Sequence, residues 1–308
     1  MSKIVDALRK IQSGSPEQLV DRKGDARRKL GRVEPHNGVD AATDEAVSRS
    51  KPRHYSRRVN LDFIAMRDAG LLAPESESKM FEDEYRVIKR PILSNAFGKG
   101  SESIENGHIV LVTSALAGDG KTFTCINLAL SLAKELDHSV LLLDADLPKP
   151  HVSTLFDAQD EPGLLDYLNG TVTHLEDIEL GTTVSGLSII PAGTARDHAT
   201  ELLSGQRMLE FLELVHRRDP KQIILVDSPP LLQTTEARAL GAIAGQIVLI
   251  IRAGATPKQA VQDAIAAVDS DKPINTVLNQ VKFSRGSGYY YGYNRSYGGQ
   301  AGAGDAAK

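Results

Sequence analysis

Between residues 108 and 280 the chain alternates short, continuous apolar runs with longer stretches of helical period. HIVLVTS (108–114), VLLLDAD (140–146), LSIIPAG (187–193), QIILVDS (222–228), QIVLIIR (246–252) and INTVLNQ (274–280) each read as a strand. A strand covered on both faces carries apolar residues at successive rather than alternate positions, the pattern of a buried parallel sheet. Helical segments fall between them, notably 121–136, 205–218 and one entered at Thr256-Pro257. That entry pairs a capping hydroxyl with proline in the first turn. The alternation predicts an α/β fold, an open, mainly parallel, doubly wound sheet.

The flanks read differently. Residues 1–11 place Ile4, Val5, Leu8 and Ile11 on one face of a short amphipathic helix. From about 12 to 58 the chain is rich in Arg, Asp, Ser and Gly and has no apolar period, as a linker does. Helical spacing returns at 61–72 and at 81–93, where Pro91 should stop or kink the second segment, FEDEYRVIKRPIL, near its end. Past Val281 the residues are mostly Gly, Tyr, Ser and Ala, and five of the chain's eight tyrosines fall within 289–297. That stretch reads as a flexible tail. The expected division is a basic, mostly disordered leader (1–58), a helical lead-in with a candidate oligomerisation segment (59–107), the α/β domain (108–281) and the tail (282–308).

Composition narrows the function classes. The chain has 308 residues, 41% hydrophobic and 25% charged, which is ordinary for a soluble globular protein. No apolar run approaches the ~20 residues that span a bilayer. The charged start, MSKIVDALRKI, lacks the apolar core of a signal peptide. A single cysteine, Cys125, excludes a disulfide framework and a multi-cysteine zinc site, and it reads as a small buried side chain. The eight histidines show no metal-ligand spacing, and the expected location is the cytoplasm. Residues 1–58 hold 14 Lys and Arg against 8 Asp and Glu, so a leader of +6 precedes a body of −10. An acidic body argues against nucleic-acid binding, whereas the leader reads as a solvated arm able to touch phosphates or anionic lipid.

Candidate chemistry centres on SALAGDGKT, residues 114–122, which follows a strand and opens a helix. Consecutive backbone N–H groups in such a loop wrap phosphate oxygens, and the helix N-terminus favours their charge. Ala117, Gly118, Asp119, Gly120, Lys121, Thr122 and Phe123 are the candidate nucleotide-binding residues. Lys121 is placed to reach the β- and γ-phosphates and the Thr122 hydroxyl to ligate Mg²⁺. Ala115 stands where G-x-x-x-x-G-K-[ST] has its first glycine. Two strands end in acid at the sheet edge where ligands gather: LLLDADLPKP with Asp144 and Asp146, and ILVDSPP with Asp227. Thr122, Asp144 and Asp227 are candidate Mg²⁺ ligands. A spare carboxylate could orient and deprotonate an acceptor hydroxyl or water.

Taken together, Ser114–Thr122, Leu141–Pro150 and Ile223–Pro230 match S-x-x-x-G-[ED]-G-K-T, hhhDxDxxxP and hhhDxPP. This set resembles the bacterial tyrosine kinases (BY-kinases), P-loop NTPase-fold proteins unrelated to eukaryotic protein kinases. The resemblance covers roughly residues 80–297, and the lead-in looks closest to the tyrosine autokinases of exopolysaccharide loci associated with exosortase systems. It implies ATP and Mg²⁺ as cofactors, with Lys121, Asp144 and Asp146 catalytic and the last two roles open between them. Tyr289, Tyr290, Tyr291, Tyr293 and Tyr297 resemble the family's C-terminal acceptor cluster, phosphorylated in trans by neighbouring subunits. Asp83–Lys89, DEYRVIK, is similar to the helical E-x-x-R-x-x-R motif that holds a subunit ring, with residue types changed. Pro148 departs from a frequent arginine, with Lys149 beside it. Asn279 resembles the adenine-contacting asparagine of related P-loop ATPases. A turn asparagine would look the same.

The resemblance further implies control of exopolysaccharide biosynthesis or export. The implied partners are the chain itself, a separate membrane adaptor of the polysaccharide co-polymerase kind, and an opposing tyrosine phosphatase, with no nucleic acid. The implied location is cytoplasmic and peripheral to the inner membrane through that adaptor. A partitioning or division-type switch ATPase is the nearest alternative, but its phosphate loop carries a lysine where this chain has Leu116. A regulatory ATPase with an adhesive aromatic tail is the other.

Overall fold

The computed structural model describes residues 55–68, 70–72, 77–98, 104–195, 198–268 and 271–281. The expected N-terminal helix, most of the leader and the five tail tyrosines lie outside these residues. The strands are β1 (Arg58–Val59), β2 (Ile109–Ser114), β3 (Ser139–Asp144), β4 (Leu180–Thr182), β5 (Leu187–Ile190), β6 (Gln222–Asp227), β7 (Gln246–Arg252) and β8 (Ile274–Asn279). They form one sheet in the order β1-β4-β5-β3-β6-β2-β7-β8. Every neighbouring pair is parallel except β4 with β5.

Strand side chains alternate between the two faces of the sheet, and helices cover both. On one face Val110, Val112, Leu142, Leu225 and Val248 meet Ile92 of α2 (Ser78–Phe97) and Ile126, Leu128 and Leu132 of α3 (Lys121–Leu132). On the other, Leu111, Leu141, Leu143, Ile224 and Ile247 meet Met208, Phe211 and Val215 of α7 (Gln206–Arg218) and Leu240 of α8 (Thr235–Ile243). This two-sided burial is why the strands read as continuous apolar runs. Each such side chain contributes up to about 1.5–3 kcal/mol. Shorter helices complete the layers: α1 (Phe63–Asp68), α4 (His151–Leu155), α5 (Leu164–Asn169), α6 (Ala199–Ser204) and α9 (Lys258–Ala266). Among the described residues no helix is long and apolar enough to cross a membrane.

Three local expectations are revised. Pro91 neither stops nor ends α2, which continues to Phe97. Pro91 lies on the exposed side, while Tyr85 and Ile92 are buried against the core. Gln246 of β7 also anchors the helix, donating to Ile92 O at 3.1 Å and accepting from Asn95 Nδ2 at 2.9 Å. Tertiary packing thus outweighs the roughly 3 kcal/mol intrinsic cost of an interior proline. Residues 55–58, within the stretch read as linker, lie along the sheet edge. There β1 pairs with β4, Tyr55 packs on Gly181, and Arg57 pairs with Glu161. Finally, Thr256 does not cap α9: Pro257 is the N-cap, with no side-chain cap bond.

Candidate active site

The phosphate loop spans the gap between the end of β2 at Ser114 and the start of α3 at Lys121. Gly118 and Gly120 adopt left-handed backbone, φ +87° and +95°. The positive φ favours glycine at 120, and a Cβ there would sit 2.1 Å from Asn279 Nδ2 and displace that amide. Ala115 has no such demand. Its φ is not positive, and its fully buried methyl packs with Leu231 and Leu249, which is why the missing first glycine is tolerated. The loop's first turn is braced internally. Ser114 Oγ donates to Leu116 O at 2.6 Å, and Leu116 N donates to Asp119 Oδ2 at 3.4 Å.

The acidic strand ends converge on this loop. Because β3 and β6 are neighbours in register, Asp144 pairs directly with Asp227 across the sheet. Thr122 Oγ1 donates to Asp227 Oδ2 at 2.8 Å, while Asp227 Oδ1 is buried without a hydrogen-bond partner. Burial, reinforced by Asp144, pushes the Asp227 carboxyl up to about 8. Asp144 is fixed by Ser153, whose N and Oγ each donate to Oδ2 at 2.7 Å, and by Asp146 N at 3.3 Å from Oδ1. Burial outweighs those bonds and raises Asp144 to about 6. Asp146 lies 3.8 Å from Lys121 Nζ. Burial raises its carboxyl also, opposed chiefly by the Lys121 charge.

These donors suit a metal–nucleotide complex better than a bare ion. Among the described residues no three His, Cys, Asp or Glu side chains converge to hold a metal by themselves. Mg²⁺ commonly takes one or two protein oxygens and completes its octahedron with phosphate oxygens and water. The Thr122 hydroxyl and the orphaned Asp227 oxygen supply such a partial set.

Other sequence-predicted residues fall into place unevenly. Asn279 reaches the loop, but its amide is engaged there: Nδ2 donates to Asp119 O at 2.9 Å and Oδ1 accepts from Gln280 N at 2.9 Å. The Phe123 ring packs edge-on against Phe81 of α2. Cys125 is buried, and burial pushes its thiol well up. In DEYRVIK, Asp83 pairs with Arg86 at 2.6 Å on one helix face. Lys89 instead folds inward onto Glu135 at 2.6 Å and Ser131 O at 2.8 Å. Two contributors escaped the sequence reading. Ser153 both braces Asp144 and accepts from Ala192 N at 2.9 Å, and the Thr256 hydroxyl donates to Asp119 Oδ1 at 2.8 Å. Neither residue carries a sequence signature for these roles, because each acts across the fold.

Comparison with known proteins agrees with this geometry. Residues 107–279 match the family described as an AAA domain. The tyrosine-protein kinase YwqD of Bacillus subtilis is 31% identical over 227 residues, covering 72% of this chain and 91% of that one. The tyrosine-protein kinase Wzc of Salmonella typhimurium is 28% identical over 189 residues, 60% of this chain but only 26% of that one. Among solved structures, the kinase domain of VpsO superposes with a TM-score of 0.56 at 30% identity, covering 68% of this chain and all of that one.

Proposed function

The chain belongs to the bacterial tyrosine-protein kinases, and from that premise we propose that it transfers the γ-phosphoryl group of Mg·ATP to tyrosines of its own tail, acting between subunits. The observation that best supports this is the convergence of Lys121, Thr122 and three strand-end carboxylates around one phosphate loop. The loop amides and Lys121 hold the triphosphate. Thr122, Asp227 and Asp144 hold Mg²⁺, directly or through water, and the ion supplies neutralisation of phosphate charge. Asp144 already accepts three hydrogen bonds, which suits a fixed supporting carboxylate. Asp146, its affinity for a proton raised by burial and opposed by Lys121, orients the acceptor hydroxyl and takes its proton. Transfer in this reading gains mainly from placement and electrostatics.

The acceptors are Tyr289, Tyr290, Tyr291, Tyr293 and Tyr297. Each phosphorylation adds about −1.5 to −2 charge to a body already acidic, which loosens a homo-oligomer by repulsion. In Wzc the matching stretch is about a quarter of a longer chain. The partners of this reading are a membrane adaptor in polysaccharide export, which brings the kinase to the inner membrane, and an opposing phosphatase. Replacing all five tail tyrosines with phenylalanine should abolish tail phosphorylation while ATP binding persists. Unchanged phosphate incorporation in that variant would refute the acceptor assignment. A wild-type chain that hydrolyses ATP yet labels no tyrosine would favour the switch-ATPase alternative.

A further inference from the structure

Thr256 stands at a helix entry but caps nothing. In the turn between β7 and α9 its Oγ1 accepts from Arg252 N at 3.0 Å and donates to Asp119 Oδ1 at 2.8 Å. Thr256 precedes the N-cap Pro257, and its hydroxyl serves Asp119 rather than the first helical turn. Asp119, the acidic residue of the phosphate loop, is only 3% exposed. Its second carboxylate oxygen accepts from Leu116 N at 3.4 Å, and its carbonyl accepts from Asn279 Nδ2 at 2.9 Å. Asn279 is steadied in turn by Gln280 N, with Gln280 held at φ +56°. The turn after β7 and the end of β8 therefore both hold one loop residue.

We propose that Thr256 and Asn279 are positioning residues for the phosphate loop. They hold the Asp119 carboxylate and carbonyl turned toward the sheet, so that the loop presents N–H groups rather than its own anion to the phosphates. The proposal rests on the reading that this loop binds nucleotide phosphates, and it gives the Asn279 amide a task other than contacting adenine. The chemistry follows from charge. A carboxylate in a phosphate-binding loop opposes its ligand unless fixed donors retain it, and hydrogen bonds to charged acceptors are the stronger kind. The glycine at 120 belongs to the same arrangement, since the Asn279 amide occupies the space a Cβ would need.

The test uses the full chain with Thr256→Val, Thr256→Ser and Asn279→Ala. Binding of ADP with Mg²⁺, and of inorganic tripolyphosphate, is measured by calorimetry. Amide hydrogen exchange across 115–122 is followed in the nucleotide-free protein. Thr256→Val should weaken both ligands about tenfold and raise KM for ATP more than it lowers kcat, with Thr256→Ser restoring both. Asn279→Ala should weaken tripolyphosphate as well as ADP. Both disruptive variants should speed exchange in the loop while the β2 and β6 cores stay protected. Tripolyphosphate binding untouched by Asn279→Ala would overturn the clamp in favour of adenine contact. So would loop exchange unchanged in both variants, or ligand binding weakened as much in Thr256→Ser as in Thr256→Val. If the wild-type chain binds neither ligand, the nucleotide reading fails instead, and loop exchange alone still decides whether the clamp exists.

Discussion

Lys121→Ala should lower phosphoryl transfer by about 10³-fold, measured as the initial rate of label transfer from γ-labelled ATP. Two losses coincide at this residue. Lys121 opens α3 directly after the loop, so its charge adds to the favourable end of the helix dipole where the proposed reading places the phosphates. It is also the cation facing Asp146 at 3.8 Å. Without it Asp146 remains buried beside Asp144 with less charge compensation, and an uncompensated carboxylate repels the triphosphate and gains a proton more readily. Lys121→Arg should rescue little, because the residue is only 8% exposed and a planar guanidinium cannot occupy the volume of an ammonium without displacing its neighbours. A retained rate within a few-fold of wild type in the alanine variant would remove Lys121 from the chemistry.

Asp227→Asn should have opposite effects on stability and activity. In metal-free protein the Asp227 carboxyl rises from its ordinary 3.8 to about 8, and Asp144 from 3.8 to about 6, both chiefly through burial. A carboxyl that holds its proton more tightly when folded stabilises the protein fully below its unfolded value. That contribution is lost as pH climbs through the folded value. The nucleotide-free protein in EDTA should therefore lose thermal stability steadily between about pH 4 and pH 8. Asn at 227 keeps an acceptor for Thr122 Oγ1 and removes a buried charge that Lys121 only partly offsets without metal. At pH 8 in EDTA this variant should gain roughly 2 kcal/mol, or about 4–8 °C in Tm, with a flatter pH profile above pH 6. Its phosphoryl transfer should fall at least about a hundredfold, since the oxygen set offered to Mg²⁺ is weakened. Lower stability than wild type at pH 8 in EDTA would contradict the charge account of this cluster.

What was legible in the sequence was whatever physics writes locally. Leu111, Leu142 and Ile224 sit in runs apolar at every position because helices cover both sheet faces, and those runs located the strands. Gly118, Gly120, Lys121 and Thr122 form a contiguous signature, because wrapping a phosphate requires adjacent backbone. The two- and three-residue strands at Arg58–Val59 and Leu180–Thr182 were not visible, being too short to establish a period. Pro91 misled because helix propensity is local, whereas the burial of Ile92 and the grip of Gln246 are not. Ser153 and Thr256 reach their carboxylates only through the fold, Thr256 across 137 residues of chain. Lys89 shows the same limit. Its place in DEYRVIK suggested contact with another subunit, and its ammonium turns instead to Glu135 of its own chain.

The central claim, phosphoryl transfer from ATP to tyrosines of the tail, is tested most directly by intact-mass and peptide mass spectrometry of the full chain. The purified protein is treated with phosphatase and then incubated with and without Mg·ATP, alone and with a candidate membrane adaptor, beside Lys121→Ala. The account predicts whole phosphoryl increments on the peptides containing Tyr289–Tyr297, dependent on Mg·ATP and absent in Lys121→Ala. ATP consumed under the same conditions with every tyrosine unmodified would contradict it.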